Sequence, residues 1–138
     1  MLYVIHQKHP ELTYQGGQAS ILHFEADLNK VLAWNQSQTP ALRWAFTDSN
    51  AGSVYFDDYN DLTQLDKIDW VAVQARYWQT SKEGKQAEFL MEKRFPWHLI
   101  DRIGVHSQAI YTQVVNLIAN QTHQKHKPKV EILPDWYY

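Results

Sequence analysis

The residue with the clearest chemical potential in this sequence is Glu88, which lies in the stretch Gln86-Ala87-Glu88-Phe89. From residue 86 to residue 94 the pattern changes to period two, with Ala87, Phe89 and Met91 on one face and Glu88 on the other, which predicts a strand that carries Glu88 between apolar neighbours. A carboxylate mounted on a rigid strand can stabilise a positive charge as it develops. Glu88 is therefore a candidate catalytic residue, and the ordinary alternative is a solvated glutamate on an edge strand.

The segment immediately before Glu88, residues 82–86, is short, basic and contains a glycine. Lys82 and Lys85 can contact phosphates, and Gly84 would let the backbone approach a ligand closely. Most short segments of this composition are ordinary solvated connections. The residue types leave both interpretations open.

A turn at residues 47–52 follows a predicted strand and contains Asn50. The Asn50 amide is a candidate for contact with a ligand, and the alternative is an Asx-type turn in which it bonds its own backbone. Aromatic residues make up 14% of the chain, and aromatic rings can stack on the bases of a single strand. Most of these rings must belong to a core, and Tyr77 and Trp78, which precede the basic segment, are the candidates for a place near a substrate.

Charge is distributed unevenly along the chain. Residues 1–70 hold 4 Lys and Arg against 9 Asp and Glu, a net of −5, whereas residues 71–138 hold 9 against 6, a net of +3. The two halves together give the formal net charge of −2. The positive half contains Glu88 and the basic segment, a distribution that permits a polyanionic partner without establishing one.

The histidines and the missing cysteines predict no metal site. His6 with His9, and His123 with His126, are each three residues apart, which on a helix would place two imidazoles on one face. Neither pair is accompanied by a third ligand. The chain has 0 cysteines, which excludes disulfides, zinc thiolates and a cysteine nucleophile.

The elements that would position these residues are strands and helices without strict alternation, which predicts an α+β fold with a central mixed or antiparallel sheet. Strands are expected at 21–25, 42–47, 86–94, 102–106 and through Val130 and Ile132, and the opening residues 1–6 look like a buried first strand. Helices are expected from the cap Asp27 to before Pro40, over 66–78, as a short turn at 96–100, and after the cap Ser107. The composition, 44% hydrophobic and 20% charged, and the lack of any membrane-spanning apolar run predict a single soluble, cytoplasmic domain of residues 1–138.

Residues 82–97, taken with Pro134-Asp135-Trp136-Tyr137-Tyr138, resemble the DarT family, whose members ADP-ribosylate thymidine in single-stranded DNA and use NAD. The family's catalytic glutamate lies in a Gln-Ala-Glu-Phe motif, which the residues around Glu88 match one for one. The resemblance implies an ADP-ribosyltransferase-like fold and glycosyl transfer by Glu88. It also makes residues 82–86 the DNA-facing loop, with DNA contacts from Lys82, Lys85, Gln86 and Asn50.

The same resemblance implies NAD as a co-substrate, no metal, and membership of a toxin–antitoxin system with a macrodomain antitoxin as partner. Family members have a further segment before the equivalent of Met1, and that segment holds most of the NAD pocket and an essential arginine. The resemblance therefore implies an N-terminally truncated domain that is inactive alone. Two alternatives stay open: a catalytically inactive relic that binds single-stranded nucleic acid, and an interaction protein without a site.

Overall fold

The computed structural model describes residues 2–75 and 82–138. The strands are β1 His23–Glu25, β2 Trp44–Thr47, β3 Asp58–Tyr59, β4 Phe89–Met91, β5 Arg102–Val105 and β6 Lys129–Ile132. The α-helices are α1 Leu2–His6, α2 Leu28–Gln36, α3 Trp70–Gln74 and α4 Gln108–Asn120. Short 3₁₀ helices cover Leu62–Lys67, Gly84–Gln86, Trp97–Leu99 and Pro134–Trp136.

The chain divides into two compact units, and unit 1 consists of Met1–Gln36 and Pro96–Tyr138. Its sheet has the strand order β1-β5-β6, in which β1 runs antiparallel and β6 parallel to β5. The central strand supplies Ile103 and Val105, which are 1% and 0% exposed and pack with Ile100 and with Val114 of α4. The core of unit 1 therefore lies between its mixed sheet and α4.

Both long helices begin at the caps predicted from sequence. Asp27 accepts a hydrogen bond from the backbone N–H of Lys30 through Oδ1 at 3.0 Å, and α2 starts at the next residue. The Ser107 hydroxyl accepts from the N–H of Ile110 at 3.5 Å, and α4 follows. Each cap satisfies a donor that the first helical turn leaves without an intrahelical partner.

The C-terminal residues are tied into unit 1 by Tyr137. Its hydroxyl lies 2.6 Å from the carbonyl oxygen of Ile21 and 3.2 Å from that of Gly104. A Cβ on Gly104 would come within 2.6 Å of the Trp136 ring, so the close approach of this ring to β5 requires glycine. The chain end therefore contributes to the packing of β5.

Unit 2 consists of Ser37–Phe95 and contains an antiparallel sheet of order β3-β2-β4. Phe46 of the central strand is 4% exposed and stacks on Tyr59 at 5.4 Å between ring centroids. Trp44 lies 5.9 Å from Phe89 by the same measure. The core of unit 2 is thus a small aromatic cluster spread over its three strands.

The α+β class with mixed and antiparallel sheets is confirmed, although the six strands found among the described residues are divided between two three-stranded sheets. The opening segment forms helix α1 and not the expected strand. An apolar run of five residues is too short for its periodicity to distinguish a helix from a strand. Within the described residues, no helix has the length and apolar character needed to cross a membrane.

The predicted strand 86–94 is confirmed only over Phe89–Met91. Lys93 has a φ of +66°, and the N–H of Arg94 bonds to the carbonyl of Glu92 at 2.8 Å, so a tight turn ends the strand. The alternation holds over residues 87–91, where Ala87, Phe89 and Met91 are half-buried and Glu88 and Leu90 are exposed, and it ends at the half-buried Glu92.

The predicted helix 66–78 is replaced by two shorter helices. Leu62–Lys67 is 3₁₀, and Asp69 starts a new helix by accepting from the N–H of Ala72 at 2.9 Å. The second helix, α3, ends at Gln74. The remainder of the prediction, with Tyr77 and Trp78, falls outside the described residues.

Candidate active site

Glu88 lies one residue before β4, where its backbone is paired with Thr47 at the end of β2. The Thr47 N–H donates to the Glu88 carbonyl at 2.8 Å, and the Glu88 N–H donates to the Thr47 hydroxyl at 3.2 Å. These bonds extend the β2–β4 pairing by one residue beyond Phe46 and Phe89. Glu88 is therefore held as firmly as a strand residue, although the strand itself begins after it.

The Thr47 hydroxyl also connects Glu88 to the turn that follows β2. Thr47 is 1% exposed, and its hydroxyl donates to the carbonyl of Ser49 at 2.6 Å. The hydroxyl is therefore satisfied as both donor and acceptor, and the Ser49 carbonyl is its nearer acceptor because the Glu88 carbonyl lies 3.5 Å away. Thr47 thus fixes the backbone of Glu88 relative to the turn.

The Glu88 carboxylate reaches the same turn directly. Its Oε2 accepts a hydrogen bond from the backbone N–H of Ala51 at 3.2 Å. The side chain is exposed, and among the ion pairs of residues 2–75 and 82–138 none involves Glu88. The carboxylate is oriented by a neutral donor, so its negative charge is left available to a positively charged ligand.

Glu92, at the other end of β4, provides a contrast. It forms an ion pair with Arg43, with 3.2 Å between Oε1 and Nη2. The hydrogen bond from Arg43 holds the pKa of Glu92 below its usual value. Within the described part of the chain, Glu92 therefore has a basic partner, whereas the carboxylate of Glu88 is held only by the neutral N–H of Ala51.

Asn50 and Gln86 bond to each other beside Glu88. The Asn50 amide nitrogen donates to Oε1 of Gln86 at 3.0 Å, while its Oδ1 accepts from the N–H of Gly52 at 2.8 Å. The second bond is the Asx-type turn that the sequence left as an alternative for Asn50. The turn therefore holds Asn50, Gln86 and Glu88 together through side-chain hydrogen bonds.

The basic segment is more structural than its composition suggests. The Lys85 ammonium donates to the carbonyl of Val73 in α3 at 2.8 Å and is half-buried. A Cβ on Gly84 would lie 3.0 Å from the Cβ of Ala72 and 3.2 Å from that of Asp69. Gly84 is needed for the close contact with α3, which is a different reason from the ligand approach that we expected. Lys82 is exposed.

Sequence reasoning missed the role of Asp48, which closes the connection between β2 and β3. Its N–H donates to the carbonyl of Asp57 at 3.2 Å, and its Oδ1 accepts from the N–H of Asp57 at 3.1 Å. Thr47 was missed as well. The signal that could have found both is the polar run Thr47-Asp48-Ser49-Asn50 directly after an apolar strand, since such residues bond to nearby backbone.

No metal site is found in the part of the chain that the structure describes, where no three His, Asp or Glu side chains could hold an ion. His126 has a structural role in unit 1. Its Nε2 lies 2.6 Å from the carbonyl of Ile100, and its own carbonyl accepts from Trp97 Nε1 at 3.1 Å. A cavity of about 210 Å³ beside this residue is lined by Trp97, Ile118, Gln121, Gln124 and His126, which include none of the predicted site residues.

The profile of the family described as "ssDNA thymidine ADP-ribosyltransferase, DarT" matches residues 1–138. A DNA ADP-ribosyl transferase of Thermus aquaticus is 39% identical over 138 residues, which are 100% of this chain and 58% of that relative. The chain thus spans less than two thirds of this relative's length.

Two solved structures of DarT from Thermus sp. 2.9 have the same fold, each with a TM-score of 0.86. The complex with ADP-ribosylated single-stranded DNA is 35% identical, and the alignment covers 99% of this chain and 63% of that one. The complex with NAD+ is 36% identical, and its alignment covers 99% of this chain and 66% of that one.

Proposed function

Because this chain belongs to the DarT family of single-stranded DNA thymidine ADP-ribosyltransferases, we propose that it is the part of such an enzyme that carries the catalytic carboxylate, Glu88. Its substrates are NAD and a thymidine in single-stranded DNA. The observation that carries the proposal is the Glu88 carboxylate within the motif Gln86-Ala87-Glu88-Phe89, which the Ala51 N–H orients and which has no ion-pair partner among residues 2–75 and 82–138. A relative bound to NAD+ and a relative bound to ADP-ribosylated single-stranded DNA support the choice of substrates.

In the proposed reaction the bond between nicotinamide and the anomeric carbon of its ribose breaks, and nicotinamide leaves with the electron pair. A nucleophilic atom of the thymine base forms a new bond to that carbon, and its proton is released. The ribose passes through a state with oxocarbenium character. A preorganised carboxylate beside that carbon stabilises the charge, an effect worth about 10²–10³ in rate for one such group. Glu88 supplies the carboxylate, and it can also accept the proton that thymine releases.

The turn at residues 48–52 places polar side chains beside Glu88 that can contact the thymidine. Asn50 and Gln86 present amide groups next to the carboxylate, and amides can bond to the polar edge of a base or to a ribose hydroxyl. Lys82 is the exposed cation suited to a backbone phosphate. Lys85 serves first to join the basic segment to α3, through Val73.

A second candidate follows from the limited coverage of the Thermus relatives, 58% in the case of the Thermus aquaticus protein. A chain without the whole NAD-binding surface would be a single-stranded DNA-binding module with no transfer of its own. Positioning of both substrates supplies a large share of the acceleration in such transfers, so one carboxylate cannot replace it. We also propose, as the family implies, that the whole protein is a toxin neutralised by a macrodomain partner.

The test uses a chimera in which the Thermus aquaticus relative supplies the segment that this chain does not match. The chimera is incubated with NAD and a thymidine-containing oligonucleotide, and mass spectrometry detects the ADP-ribose adduct. We expect Glu88→Gln to lower the rate by about 10²–10³ and Glu11→Gln, a matched control at an exposed position outside the candidate site, to leave it unchanged. The 138-residue chain is assayed in parallel and is expected to bind the oligonucleotide without forming an adduct.

Three results would decide between the candidates. A folded chimera that retains transfer with Glu88→Gln would refute the catalytic role. A folded wild-type chimera that forms no adduct, while the chain still binds the oligonucleotide, would favour the binding module. An adduct formed by the chain alone would show that it carries a complete site.

A further inference from the structure

The connection between β2 and β3 carries an exposed apolar tip directly after the turn that holds Glu88. Val54 and Tyr55 are each 86% exposed, and Phe56 is 41% exposed. Three consecutive large apolar side chains in solvent are unfavourable unless a partner covers them. This tip, residues 54–56, takes no part in the catalytic contacts described above.

The tip is held near the carboxylate by two independent restraints. Asp48 bonds to both backbone groups of Asp57, which closes the loop at its base. Ala51 donates to the Glu88 carboxylate at 3.2 Å, which fixes the first half of the loop. Tyr55 is four residues beyond Ala51, so its backbone lies at most about 14 Å from that of Ala51. The Tyr55 ring is therefore within reach of a substrate that also reaches Glu88.

The charges of the loop indicate which part of a nucleic acid would meet it. Residues 49–56 include no charged side chain, whereas Asp48, Asp57 and Asp58 surround the base of the loop. These carboxylates repel phosphates, so the sugar-phosphate backbone would avoid the loop base. A neutral tip with an exposed aromatic ring fits the flat face of a base, because base–aromatic stacking needs neither charge nor a fixed hydrogen-bond pattern.

We propose that Tyr55 is a stacking platform for a base that neighbours the target thymidine in the single strand. The inference rests on the proposed function, and it adds a residue that influences which neighbouring nucleotide the site tolerates. The Tyr55 ring stacks on the neighbouring base while Glu88 lies beside the target thymidine. Removal of the ring is expected to weaken binding of the strand about 5- to 150-fold.

The experiment measures binding of a fluorescein-labelled single-stranded oligonucleotide with one thymidine to the 138-residue chain by anisotropy. Tyr55→Ala removes the ring, Tyr55→Phe keeps it without the hydroxyl, and Val54→Ala is the control with the same exposure in the same loop. The affinity of each variant is also measured for a series of oligonucleotides, each of which has one abasic nucleotide at a different position. Melting temperatures verify that these surface substitutions leave the fold intact.

Stacking predicts three results together. Tyr55→Ala weakens binding, whereas Tyr55→Phe and Val54→Ala bind as wild type does. An abasic nucleotide at one position beside the thymidine weakens binding by wild type, and the same lesion has no further effect on Tyr55→Ala. Equal binding by Tyr55→Ala and wild type would overturn the inference and leave the proposed function intact. A wild-type chain that binds no oligonucleotide would overturn the inference, while the transfer assay of the chimera would still decide the proposed function.

A loss of binding that is the same for every abasic position would also overturn the inference, because a general defect in the loop does not depend on one base. The same holds if Tyr55→Ala abolishes self-association of the chain with no effect on the oligonucleotide. In that case the tip is a contact between two copies of this chain.

Discussion

Units 1 and 2 contribute different properties to this chain. Unit 1 has a core in which Ile103 and Val105 are almost inaccessible to solvent, at 1% and 0% exposure. Unit 2 holds every described residue of the candidate site. Within residues 2–75 and 82–138, the three most exposed large apolar side chains, Val54, Tyr55 and Val71, all belong to unit 2.

The comparison indicates where stability and function are concentrated. Burial of large aliphatic side chains is the main stabilising term in a folded domain, so unit 1 should be sensitive to core truncation. Unit 2 uses its side chains to hold one turn, one carboxylate and one loop, with buried hydrogen bonds at Thr47 and Ser49. Substitutions in the two units are therefore expected to give different results in different assays.

The largest expected effect on stability is that of Ile103→Ala in unit 1. The substitution leaves a cavity beside Val105 and Val114, and such changes typically cost about 2–5 kcal/mol. Val71→Ala is the control in unit 2, where 82% exposure limits the change to about 0.5 kcal/mol. Urea denaturation measures both. If the two variants were equally destabilised, the contrast between the units would be wrong.

A smaller effect is expected for Thr47→Val, which has nearly the same shape and no hydroxyl. The Glu88 N–H and the Ser49 carbonyl lose their partner, which costs about 1–3 kcal/mol for a buried group. Hydrogen exchange of the Glu88 amide should accelerate relative to its β4 neighbours. Thr47→Ser retains the hydroxyl and should keep the amide protected. Equal protection in both variants would show that the hydroxyl does not hold Glu88.

The smallest expected effect is a pH dependence in unit 1 that arises from His23. Its Nε2 is buried without a hydrogen-bond partner among the described residues, and its ring lies against Trp136 and Tyr137. Burial lowers the pKa of His23 below its ordinary value of 6.5. The unfolded chain then binds the proton more tightly, so protonation favours unfolding and stability decreases as the pH falls below about 6.5.

Denaturation midpoints between about pH 7 and pH 5 test this expectation. His23→Gln should reduce the pH dependence, and His123→Gln, an exposed control, should not. The carboxylates Glu92, Asp101 and Glu131 have pKa values lowered by their basic partners, so their effects fall below this pH window. An unchanged slope in His23→Gln would mean that another group causes the dependence.

Local signals in the sequence were sufficient for much of the fold. Asp27 and Ser107 mark helix starts because the cap and the first turn are neighbours in the chain. The boundaries of β4 could not be found in this way. They depend on the left-handed Lys93 and on the pairing with β2, neither of which can be read from the pattern of side chains.

The sequence predicts the residues of the candidate site better than it predicts the hydrogen bonds that join them. Glu88 and Asn50 were chosen from a motif and a turn, but their shared attachment to the 48–52 turn requires contacts between segments about 40 residues apart. Gly84 illustrates the same limit, because the neighbour that requires glycine is a helix side chain and not a ligand. Side-chain chemistry is visible in a sequence, whereas a distant packing partner is not.

The closure of the β2–β3 loop by Asp48 has an evolutionary consequence. A loop fastened at its base can accept insertions, deletions and substitutions at its tip without moving the residues outside it. Residues 53–56 could therefore diverge rapidly among descendants of this protein while Glu88 keeps its orientation. If Tyr55 has the role proposed above, grafting the tip of one homologue onto another would exchange the preferred neighbouring nucleotide and leave Glu88 in place.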